Sequence, residues 1–488
     1  MSCVATSSVP RVAPRAANAR RARADRVARR TSSCGLGRPA ATTAEASVVD
    51  VASIEDAWIA GSLERCAVGE GVVKGLREGA LARLATARMP NQRIEEYRFT
   101  DLAPLVTQKP SKADPALAAG VDASAWTLAE ADKSRVVLID GVFSEALSNL
   151  SGVGSAITVG AVSVGAATSD ALGAVSGTHG GIFVDLNAAC ASDVIVVTIP
   201  TNTHMTTPLH VLQLSTASGE GCSASAPRLV VDVGQGASLD LVEEFACVTG
   251  TGKQSAYWLN GVCDLTVGAN ASVKHSMVQN QTRAAVHTRA TYVTQGEESE
   301  YSLAEISVGG RIGRHNLHIK QLGPRTVTSL ACFNLSGAGQ CLDLHSSVVL
   351  DFEEGKTDQV HKCIVSASTG RGVFDGNVRV NRYAQRTNAG QISRNLLLVP
   401  KATVNVKPNL QIVADDVVCT HGCTVSDLEE EALFYIQSRG LSPTTARSLL
   451  VAGFGLEIAS KLTGKELRVR VEKAVRDALD QDDVVMVA

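Results

Sequence analysis

Val233-Gly234-Gln235-Gly236-Ala237-Ser238-Leu239 returns further along the chain as Val267-Gly268-Ala269-Asn270-Ala271-Ser272-Val273. In both copies an apolar run closes on valine, a glycine-led turn follows, and an inward apolar residue opens the next run. One tight turn is being reused, as in a chain that stacks coil upon coil.

The surrounding texture agrees. Beyond Arg135 come short runs such as Val136-Val137-Leu138-Ile139, Val194-Ile195-Val196-Val197 and Leu229-Val230-Val231-Asp232-Val233, separated by Gly, Asn and Ser. These read as strands with turns between them. No helical period intervenes over about 270 residues, whereas βαβ crossovers need a dozen or more residues each. A stacked β-solenoid is the expectation, ahead of a sandwich, which needs long returns. The 4% aromatic content suits a narrow coil filled by small and β-branched residues.

Helical patterns flank this core. From Val48 to about Pro90, Val72, Val73, Leu76, Leu81 and Leu84 recur among charges, and Pro90 ends the pattern. After Thr424, Ser426 and Glu429 have the spacing of a capping box, and Arg439-Gly440 close that helix. Ser442-Pro443 open a second helix with Ala446, Leu449, Leu450, Gly453 and Phe454 on one face, and Leu467, Val471, Ala474, Val475 and Leu479 trace a third. The expected divisions are 1–45, 46–134, 135–424 and 425–488.

Residues 1–45 stand apart. Arg11, Arg15, Arg20, Arg21, Arg23, Arg26, Arg29, Arg30 and Arg38 lie among Ala, Ser and Thr, with Asp25 the only acid before Glu45. That is the composition of an organelle transit peptide, plastid or mitochondrial; a basic arm is the plainer reading. A net charge of -3 over 488 residues gives no basic face for nucleic acid. No run reaches the 18 or so apolar residues of a membrane helix. The twelve cysteines lack the spacing of a disulfide scaffold and read mostly as buried thiols in a reducing compartment.

Nucleotide motifs are missing. Gly252-Lys253-Gln254 and Gly464-Lys465-Glu466 lack the remaining residues of a P-loop, and Gly337-Ala338-Gly339 lacks the third glycine of a dinucleotide fingerprint. Asp343, His345, Asp351, Glu353 and Glu354 can be read as the acids of a polysaccharide-cleaving groove, but charged turns at coil edges are the simpler account.

Metal chemistry has one address, Asp415-Asp416-Val417-Val418-Cys419-Thr420-His421-Gly422-Cys423-Thr424. In a strand, Cys419, His421 and Cys423 share a side, and thiolate with imidazole suits iron, zinc or copper. Two or three ligands do not close a tetrahedral site, so a second chain or a labile cluster would complete it. The same residues also allow Cys419 and Cys423 to pack inward with His421 capping the next helix.

The order Ala384-Gln385, Thr387-Asn388-Ala389-Gly390-Gln391, Asn395-Leu396-Leu397-Leu398, Lys407-Pro408, Ala414-Asp415-Asp416-Val417, Cys419, His421-Gly422, Leu433-Phe434-Tyr435 and Ser438-Arg439-Gly440 resembles the SufB and SufD family of iron-sulfur cluster assembly. Arg93-Ile94-Glu95-Glu96-Tyr97-Arg98-Phe99-Thr100-Asp101-Leu102 looks like its E-x-W-R-Y-T-D-L element, with Tyr97 and Phe99 in place of Trp and Tyr. Thr420-His421-Gly422, where SufB-type chains tend to have Glu-His-Glu, and the pair Asp415-Asp416 place the likeness in the SufD-type branch.

The resemblance covers most of the chain. It implies a right-handed parallel β-helix between helical N- and C-terminal domains, in a scaffold subunit without catalysis. It further implies pairing with SufB along the β-helix and docking of a SufC ATPase on the C-terminal helices, where Phe434, Tyr435, Arg439, Gly440, Leu449, Leu450 and Phe454 are the expected contacts. His421 then helps receive iron or a nascent cluster shared with SufB, Cys419 is the adjacent ligand, and a plastid stroma is the expected compartment. Cys423 departs from the family's usual alanine. His361 falls where the family often has histidine, and Cys363 reads as a buried small residue.

Overall fold

The computed structural model describes residues 51–66, 74–166, 172–174, 176–217, 221–248 and 255–481. The arginine-rich leader, Val72 and Val73 lie outside them. Seventeen strands build the core: β1 (Arg135–Ile139), β2 (Val194–Ile199), β3 (Leu209–Ser215), β4 (Arg228–Val233), β5 (Ser238–Cys247), β6 (Ala256–Val267), β7 (Ser272–Asn280), β8 (Ala285–Gln295), β9 (Glu300–Ser307), β10 (Ile312–Gln321), β11 (Val327–Ser336), β12 (Cys341–Leu350), β13 (Lys356–Val365), β14 (Arg371–Val380), β15 (Thr387–Leu397), β16 (Thr403–Ile412) and β17 (Val417–Ser426). Odd strands pair in sequence to form one parallel sheet and even strands form the other. The chain crosses from sheet to sheet at every turn, which is a parallel β-solenoid.

The repeated turn marks one coil. Val233 pairs with Val267, and Ser238 and Leu239 pair with Ser272 and Val273. Val231, Val233, Leu239, Leu265, Val267 and Val273 all join the apolar filling between the sheets. The strands are thus buried on that face because each coil's apolar residue covers the one before it.

At one corner the backbone turns left-handed in successive coils, at Asn202, Gly236, Asn270, Glu298, Arg325, Glu354 and Arg386, with φ between 54° and 65°. Each of these residues donates its N–H to a carbonyl of the next coil, from Asn202 to Gln235 through Arg386 to Asp416. Only the second is glycine, so the inter-coil bond offsets the strain that other residues feel there. From Glu298 onward the side chains alternate in charge: Arg325 pairs with Glu297 and Glu298, and Arg386 with Glu353 and Glu354. These acids are corner residues of the solenoid.

Asp343 is not. It is buried in β12, where Arg314, His345 and Thr100 surround its carboxylate. Burial alone would raise its pKa, but Arg314 and His345 hold it below the ordinary value. The expectation of an edge turn fails here because Asp343 anchors the segment 93–102: Arg314 also bonds the Glu96 carbonyl at 2.9 Å and lies 4.1 Å over the Tyr97 ring.

Helices cover the outer faces. On the even sheet, α1 (Ala57–Arg65), α2 (Lys74–Leu84) and α3 (Ile182–Cys190) pack with Trp258, Val286 and Ile312. Helix α3 interrupts the expected all-strand core. It escaped sequence reading because Phe183 through Ala189 are all buried, leaving no polar stripe to give a 3.6-residue period.

Helix α4 (Glu430–Gln437) packs on α5 (Pro443–Ala459), and α5 and α6 (Lys465–Gln481) lie on the odd sheet, where their apolar faces meet Val278, Ile306, Phe333 and Ile364. Gly455 permits that approach, since a Cβ there would sit 2.5 Å from the Phe333 ring. Ser442 caps α5, accepting from the Thr445 N–H at 3.1 Å, and Gly440 at φ 88° ends the α4 turn. Ser426 does not cap α4. It pairs with Leu396 as the last residue of β17, and Glu429 takes the cap position with no side-chain bond. Strand pairing thus overrides the local Ser-x-x-Glu signal.

Candidate functional site

The solenoid ends in an open mouth. Strand β17 pairs with β15 alone, with Cys419 set on Ala389, His421 on Gln391 and Cys423 on Ser393. Ala389, Gln391 and Ser393 are fully buried, while the alternate positions Asn388, Ile392 and Arg394 are exposed. Strand side chains alternate strictly, so Cys419, His421 and Cys423 hold interior positions in a coil that no further strand covers among the described residues. Cys419 packs half-buried against the apolar filling, as do Val406 and Leu410 across the mouth. His421 and Cys423 are exposed.

Residues two apart on a strand are separated by roughly 7 Å, whereas the ligands of one tetrahedral ion lie within about 4 Å of each other. Among the described residues, no three His, Cys, Asp or Glu side chains are placed to hold a metal ion. The three groups are therefore separate donors along an edge. Burial raises the Cys419 thiol pKa, partly offset by a backbone bond from Ala389, and raises Cys423 also. Both thiols stay protonated until a metal or nearby cation displaces the proton.

Beneath the mouth runs a polar column. Gln391 Nε2 donates to Gln359 Oε1 at 2.9 Å, and Gln359 Nε2 to Ser346 Oγ at 2.7 Å. Gln391 Oε1, one coil below His421, is buried without a hydrogen bond. His361 lies deeper, stacked on Phe374 at 4.3 Å with Nδ1 3.1 Å from Ser393 Oγ. Burial pushes His361 down to about 3 and the Cys363 thiol up to about 12. Neither reaches the mouth, and both serve as neutral filling.

On the C-terminal helices, Phe434 and Tyr435 are 74% and 60% exposed and Leu449 is 47% exposed. Arg439 and Gly440 are also at the surface, while Leu450 and Phe454 are half-buried. Arg439 lies over the Tyr435 ring at 5.1 Å and bonds its hydroxyl at 3.1 Å. Phe454 faces the solenoid instead. Lys362, buried on β13, sits 4.5 Å over its ring, donates to its carbonyl at 3.0 Å, and pairs with Glu457.

Sequence reasoning missed an ionic network inside the coil. Burial would raise the Glu243 carboxyl, but Arg289 and His275 hold it near 2, with His275 Nε2 at 3.1 Å. His315 spans Glu305 and Thr291 at 2.9 Å each. The one signal was polar residues at alternate positions of otherwise apolar strands.

Two family models match the chain: the SufBD protein N-terminal region over residues 66–211 and the SUF system FeS cluster assembly SufBD core domain over 214–454. The chloroplastic protein ABCI7 of Arabidopsis thaliana is 38% identical over 463 residues, covering 92% of this chain and 95% of that protein. An iron-sulfur cluster assembly SufBD family protein of Synechocystis, slr0076, is 36% identical, covering 83% and 91%. SufD of Escherichia coli is 26% identical, covering 80% and 89%. With both models in order along the coil and its flanking helices, the chain belongs to the SufBD family of iron-sulfur cluster assembly proteins.

Proposed function

We propose that the chain is a non-catalytic scaffold subunit of the SUF assembly complex, lending His421, with Cys419 beside it, to iron or a nascent cluster shared with a SufB paralogue. The observation that carries this reading is the register of β17, which puts a thiol, an imidazole and a second thiol on the interior side of an uncovered coil. An open strand edge is a template for another strand, so the paralogue covers the mouth and supplies the missing ligands. The cluster is cargo, held transiently. Cys423 stands in line but departs from the family's usual alanine and is not needed.

The SufC ATPase docks on the C-terminal helices through Phe434, Tyr435, Arg439, Gly440 and Leu449, a surface richer in exposed aromatics than a monomer needs. Leu450 and Phe454 support that surface from below. Nucleotide binds SufC, not this chain. The protein works in the plastid stroma after its leader is removed; the chloroplastic Arabidopsis relative supports that placement.

The test is cluster formation on a complex reconstituted with SufB and SufC, followed by iron and sulfide content and by visible absorbance. His421→Ala is expected to abolish most assembly while the complex still forms. Full assembly on an intact variant complex would overturn the ligand role.

A further inference from the structure

Cys66 caps the end of α1, its N–H donating to the Ser62 carbonyl at 2.9 Å. It lies within the apolar cluster under the N-terminal helices, and Cys190, the last residue of α3, packs against the same cluster. Cys66 directs its Sγ to the Pro110 carbonyl at 3.8 Å, and its bond with Cys190 shifts the pKa of both thiols. Together with Ser62, Lys112 and Ser192 they line a cavity of about 20 Å³, enough for a water or a molecule little larger.

The surroundings make the pair unequal. The bond from Cys190 lowers the Cys66 pKa against the effect of burial, and Arg65 and Lys112 add positive charge. Cys190 is raised well above the ordinary thiol value by its bond to Cys66 and by burial. Cys66 is thus the more acidic of the two sulfurs and the one that ionises first when an oxidant arrives, the asymmetry found in reactive dithiols. A neighbouring thiol, Cys222, is pushed up to about 11 by burial and directs its Sγ to the Ser223 carbonyl at 3.8 Å.

We propose that Cys66 and Cys190 form a reversible disulfide that ties the end of α1 to the end of α3, with a small hydroperoxide as the oxidant. With hydrogen peroxide, the Cys66 thiolate attacks one oxygen, the O–O bond breaks, and the departing hydroxide takes a proton to leave as water. Cys66 is then a sulfenic acid. The Cys190 sulfur attacks that sulfur, the S–S bond forms and the S–O bond breaks, and hydroxide leaves with the thiol proton as a second water. Two thiols lose two electrons and peroxide becomes two waters. A dithiol reductant reverses the step by exchange.

The experiment takes the reduced full chain, treats it with hydrogen peroxide, blocks remaining thiols with iodoacetamide and maps the peptides by mass. A linked peptide containing Cys66 and Cys190 is expected, with both sites becoming alkylatable again after dithiothreitol. Cys190→Ser is expected to stop at a Cys66 sulfenic acid that dimedone traps; Cys66→Ser should leave Cys190 alkylatable. Circular dichroism confirms that each variant is folded, and the peptide map of the unmodified chain carries the test alone if one is not. Full alkylation of Cys66 and Cys190 after peroxide, or a link from Cys66 to Cys222 or to a second chain, would overturn the proposal.

Discussion

His421 stands one coil beyond Gln391 and in register with it, so an exposed imidazole prolongs a column whose earlier members are sealed inside the solenoid. Stability and function should separate along that column. Gln391→Ala removes the donor to Gln359 and opens a void, and is expected to cost about 2–3 kcal/mol in urea unfolding. His421→Ala should change stability by less than about 0.5 kcal/mol. Equal losses from both would show that the mouth is not open in the isolated chain.

Lys362 fastens the C-terminal helices to the solenoid. Lys362→Met keeps the apolar stem near Phe454 but loses the donors to the Phe454 carbonyl and Glu457. The expected cost is about 1–3 kcal/mol, with proteolysis concentrated between α4 and α6. Unchanged cleavage there would sink this assignment.

Asp343 holds Arg314 in a buried site. Asp343→Ala leaves that guanidinium without its counter-charge and should cost about 3–5 kcal/mol. An exposed edge acid would cost almost nothing, so thermal unfolding of this one variant discriminates between an anchor and a surface charge.

Acid should loosen the fold through its interior histidines. Burial holds His361 and His287 near 3, while unfolded imidazoles titrate near 6.5. Between those values the unfolded chain binds protons that the folded chain does not, so stability declines as pH falls from about 6.5 toward 3. His361→Gln is expected to flatten the decline by up to about 1.4 kcal/mol per pH unit. A denaturant midpoint series at several pH values measures it, and an unaltered slope would remove His361 from the account.

Peroxide sensitivity at Cys66 was not visible in the sequence, because Cys66 and Cys190 are brought together only by the packing of α1 against α3. The coil itself was legible: the two copies of the turn starting at Val233 and Val267 stack in register. So was the shared side of Cys419, His421 and Cys423, since a period of two needs no tertiary information. The rest was hidden for specific reasons. Helix α3 is buried almost all round and shows no amphipathic period. Ser426 carries a capping signal that the ladder with Leu396 overrides. Strands such as β8 are buried on both faces because helices cover the outside, so alternation did not distinguish lumen from wall, and Asp343 read as an edge.

The corner ladder gives the solenoid a parity. Acid, base, acid, base and acid succeed one another at Glu298, Arg325, Glu354, Arg386 and Asp416, one per coil. Deleting a single coil from this stretch would stack like charge on like charge, whereas deleting two would restore the alternation. Changes in the length of this protein are therefore expected to come in even numbers of coils, and a natural variant shortened by one should carry a compensating reversal of charge at the corner.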